Sequence, residues 1–127
     1  MKLFVSVLAL FAASAAFAAV PTLKAGTYCG SIQYGSFERM YEISVDSKTN
    51  TATCFTQSTG QAKSPCQYIS DSKLANWDAN LKYTVTDTSV NFPNVGDFSF
   101  TPRNNQLTLD DYQVTIKFYY TGDNACW

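Results

Sequence analysis

The sequence predicts an all-β protein, a small eight-stranded antiparallel meander barrel, with a two-sheet β-sandwich as the alternative. Three observations carry this. Apolar and polar residues alternate with a period of two over long runs, as a strand with one face on a core and the other in water requires. Thr, Tyr, Phe and Val, which suit a pleated backbone, are abundant. Turn-forming residues interrupt the runs at intervals of roughly 8–12 residues, the spacing of hairpin-linked strands.

The elements follow in chain order. Gly35-Ser36 separates a first strand at 27–34 from a second at 37–45, where Tyr41, Ile43 and Val45 oppose Glu38, Glu42 and Ser44. Asp46-Ser47-Lys48-Thr49-Asn50 turns the chain into a third strand at 51–57. A polar loop from Ser58 to Ser64, then Pro65, leads to a short strand at 66–70. Residues 71–79 lack alternation and begin with Asp71 as N-cap, so one short helical segment is expected there. Alternation returns from Leu81 to Thr86. Asp87-Thr88, Pro93-Asn94-Val95-Gly96, Arg103-Asn104-Asn105 and Asp110-Asp111 mark the later turns, and Tyr112 to Tyr120 alternate as a last strand. The expected inward set is Tyr28 and Ile32, then Tyr41, Ile43 and Val45, then Leu81, Tyr83 and Val85. Phe92, Phe98, Phe100, Leu107, Leu109, Val114, Ile116 and Phe118 complete it.

Residues 1–18 read as a signal peptide: Lys2 is followed by an uncharged run from Leu3 to Phe17, and Ala16-Phe17-Ala18 is a small-x-small cleavage signal. Residues 19–127 are then expected to form a single disulfide-bonded β domain, secreted, or periplasmic if the source is bacterial. No later stretch is apolar enough to span a membrane. Nine basic and ten acidic residues give a formal net charge of −1, without a basic patch or charge run. Nucleic acid is therefore not an expected partner.

The four cysteines, Cys29, Cys54, Cys66 and Cys126, read as two disulfides in an oxidising compartment. Cys54 with Cys66 would close a polar loop between neighbouring strands, and Cys29 with Cys126 would tie the first strand to the chain end. The alternative pairs Cys66 with Cys126 and Cys29 with Cys54. No metal site is expected, because the cysteines lack paired spacing and the chain has no histidine. Asn76, Asp78 and Asn80 alternate as calcium ligands do, yet Leu81 stands where an EF-hand loop needs Gly and Asp87 where it needs Glu.

The same lack of histidine removes the commonest general base and every Ser-His-Asp arrangement. Glu38 and Glu42 share a strand face, but a solvated one, and Asp110-Asp111 reads as a turn. An enzyme is not expected, nor any cofactor. Trp77, in the irregular segment, and Tyr119, on the polar face of the last strand, fall outside the alternating core pattern. Trp127 is expected to cover a barrel end beside Cys126.

Gly26-Thr27-Tyr28, at the start of the first strand, resembles the G-x-W that opens the first strand of calycins, the lipocalin and avidin group. The last strand also ends near a cysteine, as in many lipocalins. Tyr28 stands in place of Trp, and neither Arg39 nor Arg103 follows the last strand, where the family places its Arg. The resemblance implies an eight-stranded antiparallel barrel with an apolar cup. The function expected is thus a monomeric, non-enzymatic binding protein holding a small apolar molecule, with Tyr34, Phe37 and Trp77 at the rim. The alternative is an interaction module, an inhibitor or effector, binding an extracellular protein or glycan through loop aromatics such as Trp77 or through Tyr119.

Overall fold

The alternation read from the sequence becomes one antiparallel sheet of ten strands, curled into a half-barrel, in the computed structural model, which describes residues 21–127. The leader assigned to residues 1–18 lies outside the described residues. The long strands are β1 (Gly26–Tyr34), β2 (Phe37–Asp46) and β3 (Thr51–Ser58), and three two-residue strands follow: β4 (Ser64–Pro65), β5 (Leu81–Lys82) and β6 (Thr84–Val85). The second half comprises β7 (Ser89–Phe92), β8 (Gly96–Thr101), β9 (Gln106–Asp111) and β10 (Val114–Gly122). Sequential hairpins run through each half, and β10 pairs with β1, so the sheet order is β4-β3-β2-β1-β10-β9-β8-β7-β6.

The count is ten rather than eight because the segment 81–85 changes partner at Tyr83. Leu81 and Lys82 pair with Ala52 and Thr51 of β3, whereas Thr84 and Val85 pair with Asn91 and Val90 of β7. One stretch of alternating sequence thereby serves two edges on the open side of the curl. The expected strand at 66–70 is absent; residues 66–68 form a 3-10 turn, with the Ile69 N–H bonded to the Cys66 carbonyl. The expected helical segment is reduced to a 3-10 turn at Lys73–Asn76. Its cap is Ser72, whose hydroxyl accepts from the Leu74 N–H, and not Asp71, which sits at a left-handed φ of 53°.

The Asp110-Asp111 turn is also corrected. Both residues belong to β9, and Asp111 is buried, accepting from the Ser72 hydroxyl at 2.5 Å and the Lys73 N–H at 2.7 Å. A carboxylate that satisfies a loop 38 residues away in sequence leaves no local pattern to read. The other turns are built as their chemistry dictates, with Asn50, Asn94 and Asn105 all at positive φ.

Every residue of the expected inward set is buried or packs against the core. Aromatic rings run through it: Trp77 on Phe92 at 4.5 Å between centroids, Phe92 on Phe98 at 5.2 Å, Phe98 on Phe118 at 5.8 Å and Phe118 on Tyr41 at 6.3 Å. Tyr28 is fully buried against Tyr120 and donates its hydroxyl hydrogen to the Lys24 carbonyl at 2.6 Å. The Lys24 ammonium in turn lies over the Tyr120 ring. Burial pushes the Tyr28 phenol far above its usual pKa, with Tyr120 and Tyr83 adding to the effect and the Lys24 hydrogen bond opposing it.

Two disulfides staple the sheet, Cys29–Cys126 and Cys54–Cys66. This settles the pairing left open by the sequence. No helix among the described residues is long and apolar enough to cross a membrane.

Candidate functional site

Strand parity decides which side chains face outward. Because Tyr28, Tyr41, Ile43 and Phe118 point into the core, Cys29, Glu42 and Tyr119 occupy the opposite face. The register then aligns them. Cys29 is opposite Tyr119 on one side and Glu42 on the other, Glu42 is opposite Phe55, and Phe55 is opposite Pro65. One transverse row, Tyr119-Cys29-Glu42-Phe55-Pro65, thus crosses five strands.

The chain end is fastened on top of this row. After β10 the backbone returns so that Cys126 bonds to Cys29, and its N–H donates to Glu42 Oε1 at 3.3 Å. Lys63, from the loop between β3 and β4, donates to Glu42 Oε2 at 2.9 Å. The Lys63 ammonium also lies over the rings of Phe55, at 5.0 Å, and Trp127, at 5.3 Å. Glu42 is consequently buried, which corrects the solvated face expected for it. The cover comes from residues 21 and 84 positions away, so no local pattern announces it.

Beside the fastened end lies a groove of about 430 Å³. Among the described residues the β1–β10 register runs only from Thr27↔Gly122 to Cys29↔Tyr119. Past that point Gly30 and Ser31 line one side, Thr115, Lys117 and Tyr119 the other, and Glu38, Met40 and Trp127 complete the wall. Tyr119 is 55% exposed and Trp127 37%. The groove therefore offers two aromatic surfaces, three hydroxyls (those of Ser31, Thr115 and Tyr119), one carboxylate and one ammonium. Its two cysteine sulfurs are joined in the Cys29–Cys126 bond and present no thiol nucleophile. Gly30 is fixed by close approach: a Cβ there would stand 2.9 Å from the Lys117 carbonyl oxygen and 3.1 Å from Ile116 and Phe118.

The sequence-derived site residues are not gathered in one place. Tyr34 and Phe37 are register partners at the β1–β2 hairpin; Phe37 is exposed, and the Tyr34 side chain lies outside the described residues. Trp77 is in the core, 2% exposed, and its indole N–H donates to the Ala52 carbonyl at 3.1 Å. Ala52 pairs with Val45, eight residues along β2 from Phe37, which is about 26 Å at the rise of a strand. Phe37 and Trp77 therefore do not share a rim. Trp77 instead edges a smaller pocket of about 230 Å³ with Phe55, Pro65 and Asn80. Trp127 covers the outer face of the sheet and not a barrel end.

Of the aromatic residues named as binding candidates from the sequence, Tyr119 lines the groove. Glu38 and Glu42 could have been placed on this face by parity, as could Phe55. Lys63 and Trp127 could not, because their approach depends on disulfide pairing. No protein-family model matches the chain, and comparison with curated proteins and with solved structures gives no significant match.

Proposed function

We propose that this is a secreted, non-enzymatic binding protein that takes a glycan in the groove on its outer face. The observation that carries the reading is a groove of mixed polar and apolar lining on the outer face of β1, β2 and β10, faced by two exposed aromatic side chains, Tyr119 and Trp127. A saccharide offers an apolar C–H face and a rim of hydroxyls. The aromatic surfaces suit the first, and Ser31, Thr115, Glu38 and Lys117 suit the second. With one acidic and one basic side chain, the groove favours a neutral sugar over an ionic ligand. Its volume falls within the range of small-ligand sites.

The inner face is filled by the protein's own rings, which directs the reading to the outer surface and away from an apolar molecule held in the barrel. Two disulfides in a domain this small favour an extracellular or periplasmic setting. One chain builds the whole groove, so a monomer suffices. A distant calycin kinship belongs to the same proposal and is supported by the burial of Tyr28 within an antiparallel meander.

The test is a titration with neutral chito-, cello-, xylo- and manno-oligosaccharides, followed by the fluorescence of Trp127. Trp77 is buried away from the groove. A saturable change with at least one series is expected, weakened about tenfold by Tyr119→Ala through loss of one stacking surface. No saturable response, or binding that survives the combined Tyr119→Ala and Trp127→Ala substitutions when measured by calorimetry, would refute the reading.

A further inference from the structure

The contact that buries Glu42 has the composition of a ligand site. A carboxylate with 8% of its side chain exposed accepts a hydrogen bond from an ammonium, while two aromatic rings present their faces to the same nitrogen at 5.0 and 5.3 Å. Ring faces carry negative electrostatic potential, and a buried carboxylate is costly unless a cation meets it. A cage of two rings and one carboxylate therefore selects a cation, and in this structure it holds one, the ammonium of Lys63.

We propose that Glu42, Phe55 and Trp127 form a binding site for a primary alkylammonium, the chemistry of a free amine or the end of a polyamine, with Lys63 as its tethered competitor. The walls and the occupant differ in how they are held. Glu42 and Phe55 are register partners inside the sheet, and Trp127 follows directly on Cys126, which is bonded to Cys29. Lys63 reaches in on a long flexible stem from the exposed run Thr59–Lys63, and its side chain is 42% exposed. That run lies inside the loop closed by Cys54–Cys66, so the lysine stays near the cage whether or not it occupies it.

Withdrawal of Lys63 leaves the three walls in place, and an external amine can make the same contacts. The hydrogen bond from the ammonium to Glu42 Oε2 sets the class of ligand, because a quaternary ammonium has no N–H to donate. The competitor sets the threshold. A ligand binds only to the fraction of molecules whose cage is vacant, so its apparent affinity is reduced by that fraction. Trp127 borders both sites, whereas Tyr119 belongs to the groove alone and Glu42 and Phe55 to the cage alone. Tyr119→Ala should therefore weaken saccharide binding and leave amine binding unchanged, which lets the two readings fail separately.

The experiment is a titration of the full oxidised protein with n-butylammonium chloride, the Lys63 side chain as a free molecule. Sodium chloride at equal ionic strength serves as the control, and Trp127 fluorescence is the readout. The wild type is expected to bind saturably, and Lys63→Ala to bind at least about tenfold more tightly. Tetramethylammonium should bind Lys63→Ala more weakly than butylammonium, and adding Glu42→Gln should abolish the gain. Lys63→Met, which keeps the stem and removes the charge, replaces the alanine variant if circular dichroism shows that it does not fold. Three results would overturn the proposal: no saturable binding by either folded Lys63 variant, equal affinity in variant and wild type, or binding that persists when Glu42→Gln and Phe55→Ala are combined.

Discussion

Breaking the Cys29–Cys126 disulfide tests how much of this fold depends on one long-range staple. The bond joins residues 97 apart, so it closes nearly the whole described chain into a loop. In the chain-entropy account, opening such a loop frees the unfolded state by about 4.7 kcal/mol at 25 °C. For a domain of this size that is a large share of total stability and lowers the midpoint of thermal unfolding by about 20 °C. Cys29→Ala combined with Cys126→Ala is the variant to use, since both residues are only half-buried and the alanines leave little void. Urea unfolding should show the loss in free energy together with a steeper denaturant dependence, because an open chain exposes more surface when it unfolds. Trp127 should change its emission in the folded state as it leaves Lys63. A loss below about 2 kcal/mol with an unchanged slope would refute the argument, because the magnitude rests on loop length alone.

Two further substitutions probe the sheet. Gly30→Ala places a methyl group 2.9 Å from the Lys117 carbonyl oxygen and should cost about 1–3 kcal/mol by overpacking the β1–β10 contact, measured by urea unfolding; an unchanged midpoint would show that the strands separate freely. Tyr28→Phe removes a buried phenol whose folded pKa lies above its unfolded value of about 10. The contribution of neutral Tyr28 is complete below pH 10 and is lost as the pH rises through that value toward the folded one. The wild type should therefore be more stable than Tyr28→Phe by about 1 kcal/mol at pH 8, from the hydrogen bond to Lys24, and lose up to about 1.4 kcal/mol per pH unit relative to it above pH 10. A stability difference that stays constant from pH 8 to 11 would contradict the raised pKa.

Much of the architecture was legible because it follows from a period of two. Tyr41, Ile43, Ile116 and Phe118 each sit in a run whose alternate residues are polar, and parity alone turns them inward. Turn chemistry located the hairpins at Gly35-Ser36 and Asn50, where the backbone takes the positive φ that those residues tolerate. The irregular segment was read less well. Trp77 lacks a periodic context, so nothing in the sequence says that it packs on Phe92 and donates to Ala52. Asp111 looked like half of a turn because its partners, Ser72 and Lys73, come from another part of the chain.

By itself, then, the sequence determined the strand class, the inward set and the outward position of Tyr119. Each is a consequence of short-range spacing on a pleated backbone. The tertiary structure alone decided the strand that splits at Tyr83 between two partners, the groove beside β1 and β10, and the burial of Glu42 under Lys63 and the chain end. These depend on which distant segments meet. Register and disulfide pairing set that meeting, and neither leaves a periodic trace in the residues it joins.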